Sequence, residues 1–163
     1  MKVYGVTGWK NAGKTGLMER LVAEIAGRGV RVSTIKHAHH AVDVDQPGTD
    51  SYRHRQAGAA EVILASASRY AVMHELRGAP EPGLQALLAR LAPVDLVLVE
   101  GFKREAHPKI EAFRQAAGHA LIAPDDATIR AVASDVPLEL DRPVLDLDGT
   151  GMIADFILRD LGM

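Results

Sequence analysis

The sequence predicts an α/β fold in which a mostly parallel central sheet lies between helices on both faces. Three observations carry that expectation. An apolar strand-like run over residues 3–7 enters a glycine-rich turn, which opens into an amphipathic segment over residues 15–28. Strand-like and helix-like runs then alternate along most of the chain. Finally, Leu96-Val97-Leu98-Val99 is apolar at every position, as in a central strand buried on both faces.

Taken in order, residues 3–7 form the first strand. Leu17, Met18, Leu21, Val22, Ile25 and Ala26 recur at helical spacing until Gly27 and Gly29 end the helix. Residues 30–35 form a second strand, so the opening reads as a parallel βαβ unit with a right-handed crossover. A polar loop over 37–50 leads to a short helix over 50–57, stopped at Gly58. Residues 61–65 and 70–74 read as neighbouring strands, and Pro80 and Pro82 separate them from a helix over 83–91. Beyond the 96–99 strand, shorter strands are expected at 110–113, 120–122, 129–133 and 144–145, with a closing helix over 151–161.

At 163 residues, without repeats or low-complexity linkers, the chain is expected to form one domain over 1–163. Its net charge of −2 argues against a general nucleic-acid or anionic-membrane binder. The absence of cysteine excludes disulfides, thiolate metal sites and cysteine nucleophiles. No N-terminal signal and no apolar run near the roughly 20 residues that span a bilayer are visible, so a soluble protein is expected.

Gly8-Trp9-Lys10-Asn11-Ala12-Gly13-Lys14-Thr15 has the spacing G-x-x-x-x-G-K-[ST]. Glycines there let successive backbone N–H groups turn toward phosphate oxygens at a helix N-terminus. Lys14 can reach the β- and γ-phosphates, and the Thr15 hydroxyl can ligate Mg²⁺. Residues Gly8 to Gly16 are therefore the candidate nucleotide-binding set, within a P-loop NTPase-type three-layer sandwich. Such a cradle needs a carboxylate on a neighbouring strand. Ligands gather at the carboxyl ends of parallel strands, which selects Glu100 over Asp95 as a catalytic residue and, with Thr15, a Mg²⁺ ligand.

The segment from Lys36 to Ser51 is rich in histidine and aspartate, with His37, His39 and His40 close together. Asp43, Asp45 and Asp50 are suited to contacting Mg²⁺, positioning water or binding a partner, and Asp45 is a candidate catalytic residue. The three imidazoles also raise a metal-delivery reading. The Asn-Lys-x-Asp element that many GTPases use for guanine is absent. Asp135, after the 129–133 strand, is the candidate acceptor for base donors, though it equally suits the turn before Pro137. The residues themselves specify a nucleoside triphosphate without its base.

Taken together, Val6-Thr7-Gly8-Trp9 with Gly13-Lys14-Thr15, Lys36-His37 with His39-His40, Asp43-Val44-Asp45 with Pro47-Gly48, Glu100-Gly101-Phe102-Lys103 and Ala133-Ser134-Asp135 resemble the molybdopterin-guanine dinucleotide biosynthesis protein B (MobB) family. The resemblance runs over nearly the whole chain. It implies a cytoplasmic, homodimeric GTP-binding protein with weak GTPase activity that uses GTP and Mg²⁺. It further implies an accessory role in molybdenum cofactor biosynthesis, in attaching GMP to molybdopterin alongside the guanylyltransferase MobA. Thr49 departs from the resemblance, standing where relatives often carry Lys, and Gly16 stands where a second Thr is common. The competing reading from the residues is a small-molecule kinase, in which the His–Asp loop supplies a base and a substrate site.

Overall fold

The computed structural model describes residues 1–38 and 43–163. The elements are β1 (Lys2–Thr7), α1 (Lys14–Gly27), β2 (Val32–Lys36), α2 (Asp50–Gln56), β3 (Glu61–Ala65), β4 (Tyr70–His74), α3 (Leu84–Leu88), β5 (Leu96–Glu100), β6 (Lys109–Phe113), β7 (Ile129–Ser134), β8 (Val144–Asp146) and α4 (Thr150–Asp160). They fall into two compact units, residues 1–37 with 87–163, and residues 38–86.

The first unit is built on a six-stranded sheet in the order β2-β5-β1-β6-β7-β8, with every pairing parallel. Within the opening βαβ unit, β5 lies between β1 and β2 and pairs with both in parallel. Alternation of side chains sends Tyr4, Val6, Leu96, Leu98, Ile110, Ala131 and Ala133 to one face. There they meet Leu17, Leu21 and Ile25 of α1, spaced four apart along one stripe, and Ile153 and Ile157 of α4. Each fully buried Leu or Ile contributes roughly 2 kcal/mol. A smaller cluster of Ala123, Ile129 and Val132, with Phe113, Leu121 and Leu138 against it, lies elsewhere in the unit.

The strand expected at 120–122 does not form. Its polar groups are taken by side chains instead: the N–H groups of Ile122 and Ala123 donate to the buried Glu111 carboxylate at 2.8–3.1 Å. The Trp9 indole donates to the Ala120 carbonyl at 2.8 Å. A segment so satisfied has no need of a strand neighbour, and it continues into a 3₁₀ turn over Ala123–Asp125. The helix expected over 83–91 is also shorter, because the Arg90 and Leu91 N–H groups bond three residues back and tighten the chain into turns.

In the second unit, β3 and β4 pair as an antiparallel hairpin from Glu61↔His74 to Ala65↔Tyr70. Its turn is held by Ser66, whose hydroxyl accepts from the Arg69 N–H and whose own N–H donates to the Arg69 carbonyl. Thr49 caps α2, accepting from the Tyr52 N–H. Arg55 gathers three carboxylates, donating to Asp43, Asp45 and Glu75 at 2.6–3.2 Å. Asp45 is the acceptor at the centre of this loop. Its oxygens take bonds from Thr49 Oγ1 and Ser51 Oγ at 3.0 Å, from the Gln46 N–H at 3.1 Å and from Arg55. Burial pushes the Asp45 carboxyl up, but these hydrogen bonds prevail and hold it below the usual carboxylate range. Arg55 and the Asp45 N–H depress Asp43 likewise.

Depressed carboxyls contribute stability above their ordinary range, near pH 4, and lose it as the pH falls through their lower folded values. Amide protection factors over residues 43–77, corrected for intrinsic exchange, are therefore expected to fall below about pH 4. Protection unchanged down to pH 2 would show that the carboxylate–Arg55 network does not hold this unit.

Candidate functional site

Because every strand of the sheet runs the same way, the segments that follow β1, β2, β5, β6, β7 and β8 meet at one edge. The sequence-predicted Gly8–Gly16 set lies there as a turn into α1. Gly8 has φ +141°, Asn11 +65° and Gly13 +90°, so the chain makes tight reversals that few side chains permit. Gly13 is the N-cap of α1 and offers no side-chain bond, leaving the first-turn N–H groups open to a ligand. Asn11, Gly13, Lys14, Thr15 and Gly16 line a cavity of about 340 Å³. A concave row of N–H groups at the positive end of a helix is an anion site.

The charged groups around it match that chemistry. Lys14 Nζ donates to the Trp9 carbonyl at 2.6 Å, folding back over the turn. Burial holds its ammonium below the usual lysine range, and Lys103 and Lys36 push the same way, while Glu100 opposes them. Lys36 and Lys103 thus both lie close enough to Lys14 to repel its charge, a gathering of positive charge that a polyphosphate would neutralise. Glu100 sits at the carboxyl end of β5, 8% exposed. Its Oε1 accepts from Thr15 Oγ1 at 3.3 Å, and its Oε2 lies 3.4 Å from Lys36 Nζ. Thr15 and Glu100, chosen from different parts of the sequence, therefore meet. Their hard oxygen donors fit Mg²⁺, which prefers carboxylate, hydroxyl and phosphate ligands.

Trp9 projects from the turn and remains 42% exposed. Besides its bond to Ala120, it lies 5.6 Å from the His119 ring and carries Lys103 Nζ 3.9 Å over its face. Lys10 is exposed and Ala12 is buried beneath the turn. Asp135 follows β7 at the same edge, where Oδ1 accepts the Gln115 N–H at 2.9 Å. It borders a cavity of about 330 Å³ lined by residues 134–137 and 144–146. Lys103 entered the sequence reading only as the last residue of the Glu100-Gly101-Phe102-Lys103 motif, and Arg114 and His119 were given no role. The sequence signal for Arg114 and His119 is position: both follow β6, a strand that the topology brings to this edge.

The other candidates fall differently. Asp45 belongs to the second unit, and its side chain is 6% exposed and held by four donors. That placement is of an organiser of its own loop rather than of an open general base. Of the histidine loop, His37 donates its N–H to the Glu100 carbonyl at 2.9 Å and stacks on Phe102 with ring centroids 4.6 Å apart. His39 and His40 lie outside the described residues. Among the described residues, no three His, Asp or Glu side chains come together as a metal-binding group, and no helix is long and apolar enough to cross a membrane.

Comparison with known proteins places this geometry in a family. The model for "Molybdopterin guanine dinucleotide synthesis protein B" matches residues 3–135. A molybdopterin-guanine dinucleotide biosynthesis adapter protein of Escherichia coli (strain K12) is 46% identical over 157 residues, covering 93% of this chain and 88% of its own. The adapter protein of Haemophilus influenzae is 46% identical over 158 residues, covering 95% of this chain and 86% of its own. Among solved structures, a MobB protein homolog from Bacillus stearothermophilus is 31% identical, with a TM-score of 0.72 over 99% of both chains. The Bacillus subtilis MobB structure, at 22% identity and a TM-score of 0.77, shows the same fold. Similarity in sequence and fold over most of the chain leads to one assignment: the chain belongs to the molybdopterin guanine dinucleotide synthesis protein B (MobB) family.

Proposed function

We propose that this chain is a Mg-GTP-binding adapter in molybdenum cofactor biosynthesis. It assists a guanylyltransferase partner of the MobA type in attaching GMP to molybdopterin, and it hydrolyses GTP slowly. The observation that carries the reading is the convergence of Lys14, Thr15 and Glu100 at an open helix N-terminus. The phosphates lie against the N–H groups of residues 13–16, with Lys14 released from the Trp9 carbonyl to meet them. Thr15 and Glu100 hold Mg²⁺, which when bound screens the charge of the phosphate chain. Asp135 offers an acceptor for the base, and the cavity it borders has room for a ring.

The hairpin of the second unit supports a homodimer. It exposes Ile63 (62%), Leu64 (54%) and Tyr70 (71%) on a sheet that has two strands among the described residues, and such a sheet gains little stability alone.

The test uses the chain's single tryptophan. Trp9 lies in the cradle, and its carbonyl loses Lys14 when phosphate binds, so Mg-GTP should change its fluorescence saturably. A pull-down of the partner guanylyltransferase, run with and without Mg-GTP, then tests the adapter role. Absence of saturable binding of GTP would defeat the nucleotide reading, and no association in either state would defeat the adapter reading.

A further inference from the structure

Arg114 follows β6 and reaches across to the cradle from a neighbouring strand. A methyl group built on Gly13 would stand 2.9 Å from Arg114 Nε, so the guanidinium lies directly on the turn that holds the open N–H groups. Gly13 is what allows that approach. For a guanidinium in such a place, Arg114 is poorly satisfied. Among the described residues it donates no hydrogen bond, and its ion pair is a long one, 3.9 Å from Nη2 to Asp148 Oδ1, with 39% of its side chain exposed. Asp148 is itself shared, lying 3.5 Å from Arg20 Nη2, and is 73% exposed. Arg20 is otherwise anchored, donating to Thr150 Oγ1 and the Leu147 carbonyl at 3.0 and 2.9 Å.

We propose that Arg114 is a nucleotide-binding residue supplied by the chain itself, contacting the phosphate chain of a nucleoside di- or triphosphate, with Asp148 as the anion it leaves. The inference rests on the reading of the cradle as a nucleotide site. Five fixed N–H donors match phosphate oxygens in pairs, which a lysine at the same place would not do. Asp148 keeps Arg20 when Arg114 departs, so the exchange strands no charge. The loose 3.9 Å pair is easily surrendered, since an exposed pair of this kind is worth little.

The two partners give substitutions of opposite sign. In calorimetric titrations with GTP and with GDP at fixed Mg²⁺, Arg114→Ala should weaken both by roughly ten- to a hundredfold. Arg114→Lys should recover only part of that loss. Asp148→Asn should tighten both by roughly two- to fivefold, and this gain should vanish when Arg114→Ala is added. Circular dichroism confirms the fold of each variant. Affinity in Arg114→Ala within twofold of the parent overturns the proposal. So does an Asp148→Asn gain that persists without Arg114, which would be long-range charge alone, and so does weakening in Asp148→Asn, which would make the pair a structural brace. Failure of the parent chain to bind GTP or GDP would instead defeat the nucleotide reading beneath it.

Discussion

Lys14→Ala is expected to lower GTP affinity on the order of 100-fold or more, the largest single effect on binding in this chain. The ammonium sits at the mouth of the cradle, held under the usual lysine range by burial and by Lys103 and Lys36. Those same neighbours make the site hungry for an anion. Removing Lys14 deletes the one cation that the α1 N-terminus itself contributes, and its bond to the Trp9 carbonyl goes with it. Isothermal titration with Mg-GTP measures the loss, with thermal unfolding as a check that the turn survives. Affinity within threefold of the parent would mean that the nucleotide does not occupy this cradle.

Gly8→Ala should be the most damaging to stability. At φ +141° the backbone of Gly8 lies where side chains are rarely tolerated. An added Cβ would also stand 2.4 Å from the Ala112 carbonyl oxygen. That oxygen belongs to β6, which is fixed between β1 and β7 and cannot withdraw as a flexible side-chain tip would. Strain and overpacking together are expected to cost about 2–5 kcal/mol, lowering Tm by roughly 5–15 °C for a chain of this size. Differential scanning calorimetry decides it: a Tm within 2 °C of the parent would show that the close approach is not rigid.

Much of this was legible beforehand, and the reasons are local. Residues 8–15 carry their geometry in their glycines, and the 96–99 run is apolar throughout as in a central strand, so the turn into α1 and the placement of Glu100 at the end of β5 beside Thr15 were both readable. The 61–65 and 70–74 strands were likewise set by short-range pattern and a serine turn. What escaped was whatever depended on a distant partner. Residues 120–122 look like a strand until Glu111 and Trp9 claim their backbone groups from other elements. Asp45 looks like a free carboxylate until Thr49, Ser51 and Arg55 close on it. Arg114 carries no motif at all; only the β1–β6 pairing lays it on Gly13. The position of β5 between β1 and β2 is of the same kind, a choice made by the sheet and not by any one segment.

The uniform direction of the six strands has a practical counterpart at the opposite rim. There Arg31 and Asp95 pair at 3.0 Å where the chain enters β2 and β5, with no cradle residue in their contacts. A five-residue strand separates that rim from the edge that carries the Gly8–Gly16 turn by about 17 Å. A surface-tethering group or a reporter dye attached at position 31 or 95 would thus leave the cradle facing solution, and a chain without native cysteine accepts a single engineered thiol there as its one attachment point.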